Sequence, residues 1–442
     1  MLTPVSLSRR AQATAVALRG FYGWRIAGFA AVTLAMTAPG QTVGVSVFVD
    51  PMIADLGVSR SEISIAYFVG TLTGAAALPS VGRWIDRAGV RRVMLVIGVA
   101  FGAVLVGMAG VRGIVALTAG FIGIRLLGQG SVSLTSTTAV ALWFDRFRGL
   151  AIGLSNAVGG GLMSLAPIVL GVAIAAFDWR IAWVLAGVAV WVVVVPIARW
   201  GLRNNPAEIG QRLDGTPVTD DTPGSGDDAT RRGWTRPEAV RTLMFWAVTA
   251  AVAASGMVTT GLAFHQISLL GERGLSPAQA AANFVPQTAA AITATVAMGV
   301  LVDRVAPRLL VAASMGSLAA AMVLAQTAAP GLSAVAFGVA AGAGAGTVRA
   351  LEAAAFPRYF GLAHIGSIRG LVMAISVGAT AFGPLALAFG RERLGGYGPT
   401  LTLLLALPLV VALTAMAARV PDDALRRRVQ CSLASEPETI TP

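Results

Sequence analysis

Twelve apolar runs recur along the chain, each near the ~20 residues a helix needs to cross about 30 Å of hydrocarbon. They cover roughly 24–48, 63–82, 93–111, 114–142, 150–176, 180–200, 242–269, 278–302, 308–328, 331–356, 366–390 and 399–419. Hydrocarbon offers the backbone no hydrogen bonds, so spanning segments are helices or a closed barrel. A barrel would show ~10-residue segments of alternating polarity, and these runs are continuous. Only 12% of the 442 residues are charged, against about 25% in soluble domains. The expectation is an all-α integral membrane protein with 12 transmembrane helices.

The runs fall into two similar halves. Gly57 and Gly274, Ser59 and Ser276, Gly82 and Gly299, Asp86 and Asp303, and Pro167 and Pro384 are all 217 residues apart. This gives two pseudo-symmetric six-helix bundles, 24–200 and 242–419. They are flanked by a cytoplasmic lead (1–23), a polar linker (201–241) read as disordered from its Pro, Gly and Asp content, and a disordered cytoplasmic tail (420–442).

The net charge of +12 invites a nucleic-acid reading, but its placement argues against one. All 33 basic residues are Arg; with the N-terminus inside, 25 fall in cytoplasmic segments, 6 outside and 2 within helices. That is the positive-inside bias, so the Arg excess sets topology, with both termini cytoplasmic. Cys431 is the only cysteine, which leaves no intrachain disulfide. The sequence has no metal-ligating cluster, nucleophile–base set or phosphate-cradling loop, so neither a cofactor nor an enzymatic activity is expected. The first run is full length and lacks a cleavage pattern, and reads as an uncleaved helix.

Polar residues inside the runs are the candidate site. In run 1, Thr33, Thr37 and Gln41 share a face, either lining a cavity or bonding a neighbouring helix. In run 4, Arg125, Gln129 and Ser133 are four apart, with Ser136 and Thr137 continuing the face. An Arg inside a membrane costs about 2.5–3.5 kcal/mol on insertion scales, and runs 1 to 5 offer no intramembrane carboxylate. An anionic solute would satisfy it; so would carbonyls and water. Run 7 carries Gln266 and His265, a proton carrier or a packing group. Run 8 carries Asn283 and Gln287. Run 10 places Gly338, Gly342 and Gly346 at the small-xxx-small spacing of close helix packing. Arg349 and Glu352 follow three apart, as an inner-gate ion pair, with Glu352 as a proton carrier or Arg349 as a second anion contact as alternatives.

Between runs 2 and 3 stands GRWIDRAGVRR, residues 82–92. Gly82 would permit close helix approach, and Asp86 would cap a helix or pair with Arg at the inner surface, so that the motif latches one gate conformation; the alternative is that Arg87, Arg91 and Arg92 only anchor topology. Asp303 and Arg304 form a weaker second copy. This loop, the twelve runs and the duplication resemble the major facilitator superfamily. Gly40-Gln41-Thr42, Arg125-Leu-Leu-Gly128-Gln129-Gly130, Trp143-Phe-Asp-Arg-Phe-Arg-Gly149 and the stretch 202–210 are similar to its bacterial oxalate/formate antiporter and monocarboxylate porter branch. The resemblance implies alternating access and small carboxylates moved with a proton or in exchange. The basic residues that branch uses in helix 8 are missing here, so Arg125 and Arg349 would have to serve. The expected molecule is a monomeric transporter in the bacterial plasma membrane. It carries a small anionic solute past Arg125, Gln129, Gln41, Gln266, Asn283, Gln287 and Arg349, with protons coupled at His265 or Glu352. The alternatives are an exporter of amphiphilic or drug-like compounds and a non-transporting receptor or scaffold.

Overall fold

The structure is a computed structural model and describes residues 21–145, 147–215, 234–301, 305–361 and 365–418. The chain divides into two compact units, Met1–Thr222 and Pro223–Pro442. Unit 1 contains α1 (Gly23–Ala35), α2 (Thr42–Leu56), α3 (Arg60–Ala88), α4 (Val90–Met108), α5 (Ile114–Ile124), α6 (Ser133–Ala141), α7 (Arg148–Met163), α8 (Ala166–Ala176) and α9 (Trp179–Pro196). Unit 2 contains α10 (Arg236–Ala239), α11 (Leu243–Gly271), α12 (Pro277–Ala282), α13 (Phe284–Leu301), α14 (Pro307–Thr327), α15 (Leu332–Phe360), α16 (Ile365–Leu394), α17 (Tyr397–Leu404) and α18 (Ala406–Ala417).

Among the described residues, ten helices are long and apolar enough to cross a membrane. Runs 1 and 8 are not among these ten, and run 8 continues past Leu301 into residues outside the described ones. Run 1 stops at Ala35, turns through a 3₁₀ segment at Ala38–Gly40 and resumes at Thr42. Pro39 has no amide hydrogen to continue the ladder. The helix then runs on to Leu56, past the end of the apolar run at 48, and a turn at Gly57–Ser59 leads into α3. Run 8 breaks at Asn283. Large apolar side chains stand exposed on the spans, among them Val169, Val192, Leu403 and Leu413. Hydrocarbon is the solvent that tolerates such a surface.

The duplication is visible in both turns and packing. Gly57 and Gly274 each take a left-handed conformation, φ +64° and +85°, which costs glycine nothing. Two residues later Ser59 and Ser276 each close a capping box, with Glu62 and Gln279. In unit 1, α1 packs on α7, α3 on α5, and α4 on α9; in unit 2, α11 packs on α16, α13 on α15, and α14 on α18. These are the same three pairings in the same order.

The linker expected to be disordered over 201–241 is ordered at both ends. Asn205 caps a 3₁₀ turn at Pro206–Ile209. Asp214 accepts from the amides of Asp145 and Phe147 at 3.2 and 3.4 Å, and Trp143 Nε1 donates to the Arg203 carbonyl. On the far side, the Trp234 amide donates to the Phe360 carbonyl at 2.7 Å, and Thr235 and Glu238 form a capping box on α10. At these two ends the polar side chains bond helix ends and neighbouring backbone; residues 216–233 of the linker lie outside the described residues.

Candidate functional site

α5 ends at Ile124, and the backbone widens into a π-helical stretch, Arg125–Val132, before α6. Gly128 and Gly130 lower the cost of leaving α geometry, and Ser131 Oγ donates to the Leu126 carbonyl five residues back, at 2.7 Å. Single π turns inside helices occur frequently at functional sites. The break in run 1 docks here. A Cβ on Gly40 would lie 2.6 Å from the Ile124 carbonyl oxygen and 3.1 Å from the Gly128 Cα, so only glycine permits this approach.

Arg125 is 3% exposed. Its Nε donates to Thr71 Oγ1 at 3.0 Å and its Nη1 to the Gly40 carbonyl at 3.3 Å. The guanidinium lies 4.6 Å from the centroid of the Tyr67 ring, within cation–π range. The Tyr67 hydroxyl in turn shares a 2.6 Å hydrogen bond with Thr42. Among the described residues no carboxylate pairs with Arg125, and its Nη2 makes no hydrogen bond.

The structure thus brings Arg125, Gln129 and Gln41 together around the run 1 break. Gln129 is half-buried, and its backbone nitrogen is 3.3 Å from the Cβ position on Gly40. Gln41 Nε2 donates to Thr37 Oγ1 at 3.1 Å. Thr33 does not line a cavity: its hydroxyl pairs with Ser136 at 2.8 Å, joining α1 to α6. Tyr67 and Thr71 were missed in the sequence, although a Tyr and a Thr four apart in an apolar run share one helix face.

Unit 2 gathers a second set. Gln287 Nε2 donates to Gln266 Oε1 at 2.6 Å, and Gln266 Nε2 to the Ala280 carbonyl at 2.9 Å. Asn283 Nδ2 donates to the Ala334 carbonyl at 2.9 Å, while its Oδ1 is buried with no partner among the described residues. His265 Nε2 faces the Pro384 carbonyl at 2.9 Å, and its Nδ1 faces the Tyr397 hydroxyl at 3.2 Å. A carbonyl only accepts, so Nε2 carries the hydrogen and both ring nitrogens are engaged in the neutral form. Arg349 stands apart and exposed, with Nε toward the Ala345 carbonyl at 3.4 Å. Among the described residues it forms no ion pair with Glu352.

The 82–92 turn is fastened within unit 1. Gly89 has φ +79°, and a Cβ there would stand 2.5 Å from Asn204 Oδ1. That oxygen accepts the Arg91 amide at 3.1 Å, and Arg91 Nη2 donates to the Arg199 carbonyl at 2.6 Å. Asn204 is itself held by Glu208 through bonds of 2.8 and 3.1 Å. A Cβ on Gly82 would meet nothing within 4 Å among the described residues. Gly89 is the glycine the turn requires. Arg87 and Arg92 are exposed. The Asp86 side chain, Asp303 and Arg304 lie outside the described residues.

Residues 27–384 match the family model described as Major Facilitator Superfamily. A curated relative, the "Uncharacterized MFS-type transporter YcxA" of Bacillus subtilis (strain 168), is 27% identical over 161 residues, 36% of this chain and 39% of that protein. The match therefore spans well under half of the relative's length. Two crystal structures of a bacterial homologue of the human lysosomal transporter Spinster, inward-facing and occupied or unoccupied, superpose with TM-scores of 0.61 and 0.63. They are 16% identical to this chain, covering 93% and 95% of it and 98% and 99% of their own lengths. At that identity they speak for the fold alone.

Proposed function

The chain belongs to the Major Facilitator Superfamily, a family of multi-pass membrane transporters, and we propose that it carries a small organic anion across the bacterial plasma membrane by alternating access. One observation carries this reading. A guanidinium is buried in a membrane-spanning helix, and among the described residues no carboxylate balances it and part of its donor edge is unused. An intramembrane cation is retained where it serves a solute or a proton path, and a carboxylate is the complementary group. Gln129 and Gln41 beside it would orient the solute. In unit 2, Gln266, Gln287 and Asn283 are proposed as further solute contacts, with Arg349 as a second cation. Glu352 and His265 are the proposed proton carriers; both ring nitrogens of His265 face packing partners.

Uptake of labelled pyruvate and lactate into inverted and right-side-out vesicles tests the reading. The wild type should accumulate at least one of them, Arg125→Ala should lose at least tenfold in uptake, and Glu352→Gln should flatten the pH dependence. Normal carboxylate uptake by a correctly inserted Arg125→Ala protein would remove Arg125 from the site. Efflux of a lipophilic dye with no carboxylate uptake would replace the anion reading with the exporter.

A further inference from the structure

We infer that Tyr67 and Thr71 are positioning residues that aim Arg125, leaving it an end-on edge suited to a single carboxylate group; this rests on the anion reading above. A guanidinium has five N–H donors and grips a carboxylate through one of two forks, side-on through Nε and Nη2 or end-on through the two Nη atoms. Nε is committed to Thr71 Oγ1 at 3.0 Å, which closes the side-on fork. Nη1 gives one hydrogen to Gly40 through a long 3.3 Å bond and retains another. Nη2 has both hydrogens unused among the described residues. The Tyr67 ring covers one face of the plane at 4.6 Å and is held in turn by the bond to Thr42. Orientation is thus fixed at an edge and at a face, and what is left open is the end.

The internal duplication shows that helix packing does not demand this cation. On α3, Gly70 lies against Phe121 and Ile122, and Gly74 against Arg125 and Leu126. Their counterparts 217 residues on, Gln287 and Ala291, lie against Gly342 and Gly346 of α15. At the same offset Gly342 corresponds to Arg125. Tyr67 and Thr71 correspond to Phe284 and Thr288. Unit 2 keeps the aromatic ring and the threonine, drops the phenol oxygen and puts glycine where the cation stands. The same helix pair is thus built with no charge to orient, so the bonds around Arg125 serve the charge rather than the fold.

The test is thermal stabilisation of the purified full chain by lactate, pyruvate and oxalate, with sodium chloride at matched ionic strength as control. The wild type should be stabilised by at least one carboxylate. Tyr67→Leu, which removes the covering face, should weaken the apparent affinity about tenfold. Tyr67→Phe, which keeps the face, should stay within threefold. Thr71→Val, which reopens the side-on fork, should shift the ranking of oxalate against the monocarboxylates, and Thr71→Ser should restore it. Wild-type affinity and ranking in folded Tyr67→Leu and Thr71→Val would overturn the positioning role while leaving the anion reading intact, even if their ligand-free melting temperatures fall. A wild type stabilised by none of the three would overturn the anion reading, and the positioning role with it.

Discussion

At the residue scale, a charge that costs something to bury is the clearest mark of use. Replacing Arg125 by Leu removes an insertion penalty of about 2.5–3.5 kcal/mol. It also strips the Thr71 hydroxyl and the Gly40 carbonyl of a partner, at about 1–3 kcal/mol each where they stay buried. The two effects are of similar size and opposite sign. Arg125→Leu should therefore melt within a few degrees of the wild type in detergent while losing all stabilisation by carboxylates. A large loss of ligand-free stability would instead mark Arg125 as a structural bolt between α3 and the run 1 break. The residue itself was legible in the sequence, because an Arg in an apolar run is conspicuous. Its partners were less so: the Gly40 carbonyl is 85 residues away and becomes an acceptor only because Pro39 breaks the helix. For His265 the sequence left two roles open, and the Pro384 carbonyl 119 residues away supports packing.

At the scale of the element, local signals survived and long-range ones did not. The turns at Gly57–Ser59 and Gly274–Ser276 could be read because a capping box closes within three residues. The π stretch after Arg125 could not, since a helix widens in answer to what packs on it. The same holds for the 82–92 turn: its charges were visible, but its anchor, Asn204, lies 113 residues on from Arg91, in a segment whose polarity suggested disorder. Gly89 sits in a region essentially reserved for glycine, φ 79° and ψ 155°, so Gly89→Ala should cost about 1–3 kcal/mol of strain. Asn204→Ala should cost a similar amount, about 1–3 kcal/mol, by orphaning the Arg91 amide. The added methyl and Asn204 compete for one space, so the two changes should not be additive. The double variant should be less destabilised than the sum of the singles by at least ~0.5 kcal/mol. Additive losses, measured by unfolding in detergent, would mean that Asn204 does not hold the turn.

At the scale of the molecule, one helix-pairing scheme is used twice, and the charge pattern assigns it a direction. The two capped turns, Gly57–Ser59 and Gly274–Ser276, begin the same element in each unit, and the prediction is that each reaches the outside of the cell. The ground for this prediction is that each turn is followed by a span that ends in a basic segment, which the positive-inside bias would keep in the cytoplasm. The single native cysteine makes this testable, because Cys431 lies in the segment assigned to the cytoplasm. Ala54 and Gly271 are exposed at the ends of α2 and α11, beside the two turns and 217 residues apart. With a membrane-impermeant maleimide, the native protein in intact cells should stay unlabelled until lysis exposes Cys431. Ala54→Cys and Gly271→Cys, each in a Cys431→Ser background, should both label before lysis. Labelling of only one of the two before lysis would break the parallel between the halves. Labelling of Cys431 alone in intact cells would invert the whole topology, placing the 82–92 turn and its Arg91–Asn204 clamp outside the cell.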